Sequence, residues 1–225
     1  MRPTTRRLSL LALLLLTAAM HGACIESETH ATLVIEADGS GRWVVLNRDI
    51  HAVADTPEDR LREEQEFMAK VTAGRHSEAV AFRALGATDL RTQVLSHQWP
   101  FAVQTEARFA NLADVFSRFF ERLGVDGRAT LVRDAERFTF TAVITTDAGQ
   151  VDNQPTSEGE EARAMPSLLG DSLPVVFIRH GQFLAATGFT VSNDGRRAKA
   201  DEVDGEQPTL TLSLTWTAKE AAAQK

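Results

Sequence analysis

Two stretches that alternate apolar and hydroxyl side chains at period two limit the fold of this chain more than any other feature. Phe138, Phe140, Ala142 and Ile144 fall on one side of an extended strand, with Thr139, Thr141 and Thr145 on the other. Leu210, Leu212, Leu214 and Trp216 alternate in the same way with Thr211, Ser213 and Thr215. Successive strand side chains point to opposite faces. Each stretch therefore predicts a sheet with one side on a core and the other in water.

Turn chemistry places further strands. Ala31 to Arg48 reads as a hairpin, with Asp38-Gly39-Ser40-Gly41 supplying the turn. Leu90 to Leu95 and Phe101 to Phe109 read as strands around His97-Gln98-Trp99-Pro100, and Thr130 to Val132 pairs with Phe138 to Thr145. Short strands are expected at Pro174 to His180, Phe183 to Ala185 and Phe189 to Val191, followed by a Ser192-Asn193-Asp194-Gly195 turn. Helix signals are equally local. Thr56-Pro57 opens one helix with Asp59 placed as a capping acid. Ser77 is expected to cap a second helix that ends at Gly86. Asn111 caps a third, in which Leu112, Val115, Phe116, Phe119 and Leu123 share a face and Gly124 stops the run.

These elements sum to an α+β protein with a mainly antiparallel sheet and helices packed on one face. The order β-β-α occurs twice before residue 125, as an internal duplication would leave it. A single α+β domain is expected over 32–217, with a polar tether at 24–31 and a flexible acidic loop near 147–172. A second acidic loop is expected at Asp201 to Gln207, and a polar tail at 218–225.

The first residues have another purpose. Arg2, Arg6 and Arg7 precede an apolar run from Leu8 to Met20, and His21-Gly22-Ala23 leads into Cys24, the only cysteine of the 225 residues. A basic start, a short apolar core and small residues at the junction make residues 1–23 a signal peptide. The run is short of the roughly 20 residues that span a bilayer. A cysteine directly after the junction resembles a bacterial lipoprotein signal, which implies a thiol that is lipidated and becomes the new N-terminus. His21 stands where that family usually has an aliphatic residue. Thr17-Ala18-Ala19 offers an ordinary cleavage site before Met20, which would leave a soluble secreted protein. Ile25 rather than Asp after the cysteine favours the outer membrane in a two-membrane cell.

The order of turns and strands is similar to that of small LppM-like envelope lipoproteins. Asp38-Gly39-Ser40-Gly41, the run Ile178 to Gly181, the turn Ser192 to Gly195 and the closing Trp216 carry the likeness. It implies an α+β fold and brings no catalytic residue with it.

Charge and cysteine use narrow the partners. The signal removes three arginines and no acid, which moves the formal net charge from −7 to −10 and leaves 202 residues. An acidic surface argues against nucleic acid. With one cysteine no internal disulfide forms, so packing holds the fold. His30, His51, His76, His97 and His180 lack metal-ligand spacing, and no Gly-x-Ser-x-Gly elbow occurs. Carboxylates from Asp201 to Glu206 suit calcium chemically but depart from the EF-hand spacing. The expectation is thus no catalytic residue, no cofactor and no metal, with Cys24 as the one modified site.

Two aromatic groups remain as candidate binding surfaces. Trp99 and Phe101 either cap the core or meet a partner or lipid. Phe120, at the edge of the Phe116 and Phe119 stripe, would mark a groove if exposed. The expected function is a non-catalytic, membrane-anchored envelope lipoprotein acting as a binding or interaction module, bound to the membrane through lipid on Cys24. The alternatives are a periplasmic carrier of an apolar ligand or a secreted hydrolase with a spatially assembled Ser/His/Asp site.

Overall fold

The computed structural model describes residues 25–36, 38–145, 165–169, 174–201 and 209–217. The expected signal peptide with Cys24, most of the loop expected near 147–172, most of the one expected at Asp201 to Gln207 and the tail expected at 218–225 lie outside them.

The α+β expectation holds, but the strands divide into two sheets. The first hairpin is β1 (Ile25–Ile35) and β2 (Gly41–Ala52). Its turn forms as read: Asp38 Oδ1 accepts from the Ser40 amide at 3.0 Å and its hydroxyl at 2.6 Å. β3 (Asp89–Ser96) and β4 (Phe101–Phe109) make the second hairpin, and β4 lies against β2 with Ala107 opposite Trp43. β7 (Val175–Ile178), β9 (Phe189–Val191) and β10 (Arg197–Ala200) complete a seven-stranded sheet of order β3-β4-β2-β1-β7-β10-β9. In it β1 and β7 run parallel and the other pairs antiparallel. β5 (Gly127–Asp134), β6 (Arg137–Thr145), β8 (Gln182–Thr187) and β11 (Thr209–Thr217) form a separate sheet, β5-β6-β11-β8.

Both alternating stretches behave as their pattern demands. Phe138, Phe140, Leu214 and Trp216 are buried, while Thr139 pairs its hydroxyl with Thr215 at 3.2 Å on the outer face. Only Gly188, at φ 72°, separates β8 from β9. The chain leaves the small sheet there and joins the edge of the large one. A positive φ costs glycine little, so the sheets meet at this corner.

Three helices cover the inner side. α1 (Pro57–Thr72) starts at Thr56, whose hydroxyl accepts from the Asp59 amide at 3.1 Å. Glu64 of α1 accepts from the Ala52 amide and ties the helix to the end of β2. α2 (Ser77–Ala84) differs from its expected cap: His76 is the N-cap and makes no capping bond, while Ser77 donates to Glu78. α3 (Leu112–Leu123) has both its expected stops, Asn111 accepting from the Ala113 amide at 2.9 Å and Gly124 at φ 67°.

Two further boundaries are corrected. The tether expected at 24–31 is strand from Ile25 onward, because Ile25 to Thr32 pair with β2 despite their polar side chains. Backbone bonds need no apolar sequence. The loop expected near 147–172 contains core: Met165–Leu168 forms a 3-10 turn with both terminal side chains fully buried. Trp43 donates its indole N–H to the Leu168 carbonyl at 3.1 Å, which gives that buried donor its partner.

Candidate functional site

α3 acts as a wedge. Phe116 stacks on Trp43 of the large sheet at 5.5 Å and meets Phe140 of the small sheet at 5.2 Å. One apolar cluster therefore runs through both sheets. Phe120 is buried, not exposed at the edge of the stripe; its ring lies over Gly127, where an added Cβ would sit 2.7 Å from it.

Beside this wedge the two sheets and α3 line a cavity of about 380 Å³. Its walls come from β1 (Leu33, Ile35), α3 (Phe116, Phe120), β6 (Phe140, Ala142), β7 (Val176), β10 (Ala200) and β11 (Leu212, Leu214). Of twenty lining residues, Thr32 and Trp43 alone carry a polar side-chain group. The Trp43 N–H is already bonded. Such a wall offers water almost nothing to bond, and apolar cavities of roughly 150 Å³ stay dry and take up a benzene-sized guest. This one is more than twice that size and falls within the roughly 300–1,000 Å³ of small-molecule sites.

A second, polar cavity of about 470 Å³ lies where α1 and α2 meet β1 and β2. Its wall includes His76, whose Nε2 is 2.9 Å from the Thr105 hydroxyl. Asn47 donates to Glu78 at 2.9 Å, and Ser77 donates to the other oxygen of the same carboxylate at 2.9 Å. Burial pushes the His76 imidazole below its ordinary value, against the opposing pull of Glu78, so the ring is neutral at pH 7. A hydroxyl beside an imidazole is half of a nucleophile–base arrangement. The other half is missing, since His76 Nδ1 has no partner and Thr105 is buried. The geometry pins α2 to β2 and β4.

The remaining expected residues are dispersed. His30 bonds Glu28 and Arg48, His51 Nδ1 donates to the Asp49 carbonyl, and His97 and His180 are exposed. Among the described residues no three His, Cys, Asp or Glu side chains are grouped to hold a metal. Asp201, at the head of the candidate calcium loop, accepts from Thr190; the other carboxylates of that loop lie outside the described residues. Cys24 lies outside them too. Trp99 and Phe101 part company: Trp99 is 66% exposed, while Phe101 packs on the small cluster of Ile50, Val71 and Val103.

Sequence reasoning anticipated a groove only through Phe120. Leu169, Pro174 and Ala200 of the wall sit in segments with no period to read; the rest belongs to periodic strands and α3, whose spacing from one another the sequence does not give. One signal was available. Ala142 is a small residue at an inward position of a strand whose other inward residues are Phe138, Phe140 and Ile144.

Fold and cavity together define an α+β protein in which two mainly antiparallel sheets and one helix surround an apolar pocket. No family model matches this chain, and no curated protein does. Among solved structures it is similar to the folded domain of LppM from Mycobacterium tuberculosis, determined by NMR. The two are 10% identical over 90% of this chain and 95% of that one, with a TM-score of 0.41. It is also similar, at 9% identity and a TM-score of 0.23, to the Danio rerio Fcho1 Mu homology domain with bound Eps15 peptide, covering 89% of this chain and 79% of that one. At these scores neither likeness decides what this chain does.

Proposed function

We propose that this chain is a non-catalytic lipoprotein of a bacterial cell envelope that binds an apolar ligand between its two sheets. Acyl groups on Cys24 hold it to a membrane. The observation that carries the ligand is the cavity: it is apolar and lined by both sheets and α3. A module that only presents its outer surface to a protein partner has no need of such a space. Filling it with an apolar molecule removes apolar surface from water on both sides, which is favourable at roughly 25 cal/mol per Å². The anchor reading rests on the signal and on Cys24 at its end.

Two measurements test this. The precursor and its Cys24→Ala variant are expressed in bacteria with labelled palmitate and fractionated. Label and membrane association are expected for the parent and neither for the variant; unlabelled, soluble parent protein ends the lipoprotein reading. Separately, the soluble Cys24→Ala protein is titrated with N-phenylnaphthylamine, which fluoresces in apolar surroundings. Saturable uptake is expected, and Ala142→Leu and Leu214→Phe, which fill the cavity, should each weaken it at least tenfold. Val143→Leu, one residue along and facing outward, should not. Equal uptake by all of them would rule the cavity out as the binding site.

A further inference from the structure

One end of the seven-stranded sheet gathers apolar side chains that the core does not use. The register sets Ile25 opposite Ala52 and Ile50 opposite Phe101, so the start of β1, the end of β2 and the β3–β4 turn all share that end. Four large apolar residues project from it: Val53 is 51% exposed, Leu61 57%, Leu95 48% and Trp99 66%. Val53 is the first residue past the Ile25–Ala52 pair. Leu61 sits in the first turns of α1, which lie against the same end through the Arg60 bond to the Ala54 carbonyl. Beneath them the Ile50, Val71 and Val103 cluster gives the rim a firm base.

This is also the end from which the chain leads back to Cys24. No spacer intervenes, because β1 begins at Ile25 and consecutive Cα atoms are about 3.8 Å apart. We propose that the folded part sits directly on the membrane by this rim, with Val53, Leu61 and Trp99 in the headgroup region. The proposal rests on acylation of Cys24, which forbids this end from standing off the bilayer. Tryptophan suits the position, since its ring is apolar and its N–H reaches a polar partner at the interface. The carboxylates Asp55, Glu58 and Asp59 are offset there by Arg60 and by Arg62, which pairs with Asp59 at 2.6 Å, so no excess of positive charge draws the rim to anionic lipid. The cavity lies on the far part of the same strand, from Thr32 to Ile35. At roughly 3.3 Å per residue its wall begins about 23 Å from the docked end. The ligand is therefore held clear of the bilayer that anchors the protein.

Intrinsic fluorescence isolates the rim. The chain has three tryptophans, and Trp43 and Trp216 are 3% and 0% exposed. The full acylated protein is reconstituted in uncharged phosphatidylcholine vesicles, with and without bromine on the acyl chains. Bromolipid should quench part of the emission, at high salt as at low. Trp99→Phe should remove that quenchable part, and Val53→Asp with Leu61→Asp should halve it or more without changing the emission of the buried pair. Acylated protein that shows no bromolipid quenching overturns the docking and leaves the anchor standing. Trp99 shielded from acrylamide yet not quenched by bromolipid means that a protein or a second copy covers the rim, and this too overturns it. Failure to acylate Cys24 removes the anchor and the docking together.

Discussion

His76 is 2% exposed, and its imidazole gives Nε2 to Thr105 while Nδ1 faces no partner. Burial holds its folded-state value below the ordinary one near 6.5, with Arg83 adding to the shift and Glu78 opposing it. The unfolded chain therefore takes up this proton first as pH falls, and stability falls with it. The contribution is intact above about pH 6.5 and is lost as pH drops through the folded value. Urea midpoints should decline between pH 7 and pH 5, and His76→Gln, which keeps a partner for Thr105, should flatten that decline. Identical slopes for parent and variant would refute the assignment. Asp38 acts in a different window, because its bonds from the Ser40 hydroxyl and amide hold its carboxyl below the usual range. Its loss belongs below about pH 4, so the two effects separate on the pH axis.

At the scale of elements, α3 carries most. It supplies the rings that join the sheets and one wall of the cavity, and its ends are set by two residues. Asn111→Ala removes the side-chain acceptor for the Ala113 amide and should cost about 1 kcal/mol, seen as a lower thermal midpoint with α3 still formed. An unchanged midpoint would mean that water replaces the cap at no cost. Caps, turns and period were legible for α1, α3 and the hairpins because each depends on neighbours in sequence. β10 escaped notice because Arg197-Ala198-Lys199-Ala200 looks polar, yet Ala198 and Ala200 are buried against β7 and β9 partners that only the fold supplies. Met165–Leu168 escaped for a related reason: a single turn has no period, and its value lies in filling space under Trp43.

For the molecule as a whole, one core through two sheets predicts one unfolding event. Trp43 reports on the large sheet and Trp216 on the small one, each buried in the shared cluster. Fluorescence transitions of Trp43→Phe and Trp216→Phe variants should keep a single transition each, coincident with that from circular dichroism. Two separated midpoints would show that α3 does not couple the sheets. The sequence by itself determined the class of fold, the two amphipathic strands and the ends of α3, since all of these follow from neighbouring residues, and it alone carries the expectation of attachment through Cys24. Tertiary structure alone decided that the strands split at Gly188, that Phe120 turns inward over Gly127 and that an apolar space remains beside the wedge. A cavity is the volume that packing leaves over, and it depends on the distances between side chains remote in sequence. No local pattern encodes those distances.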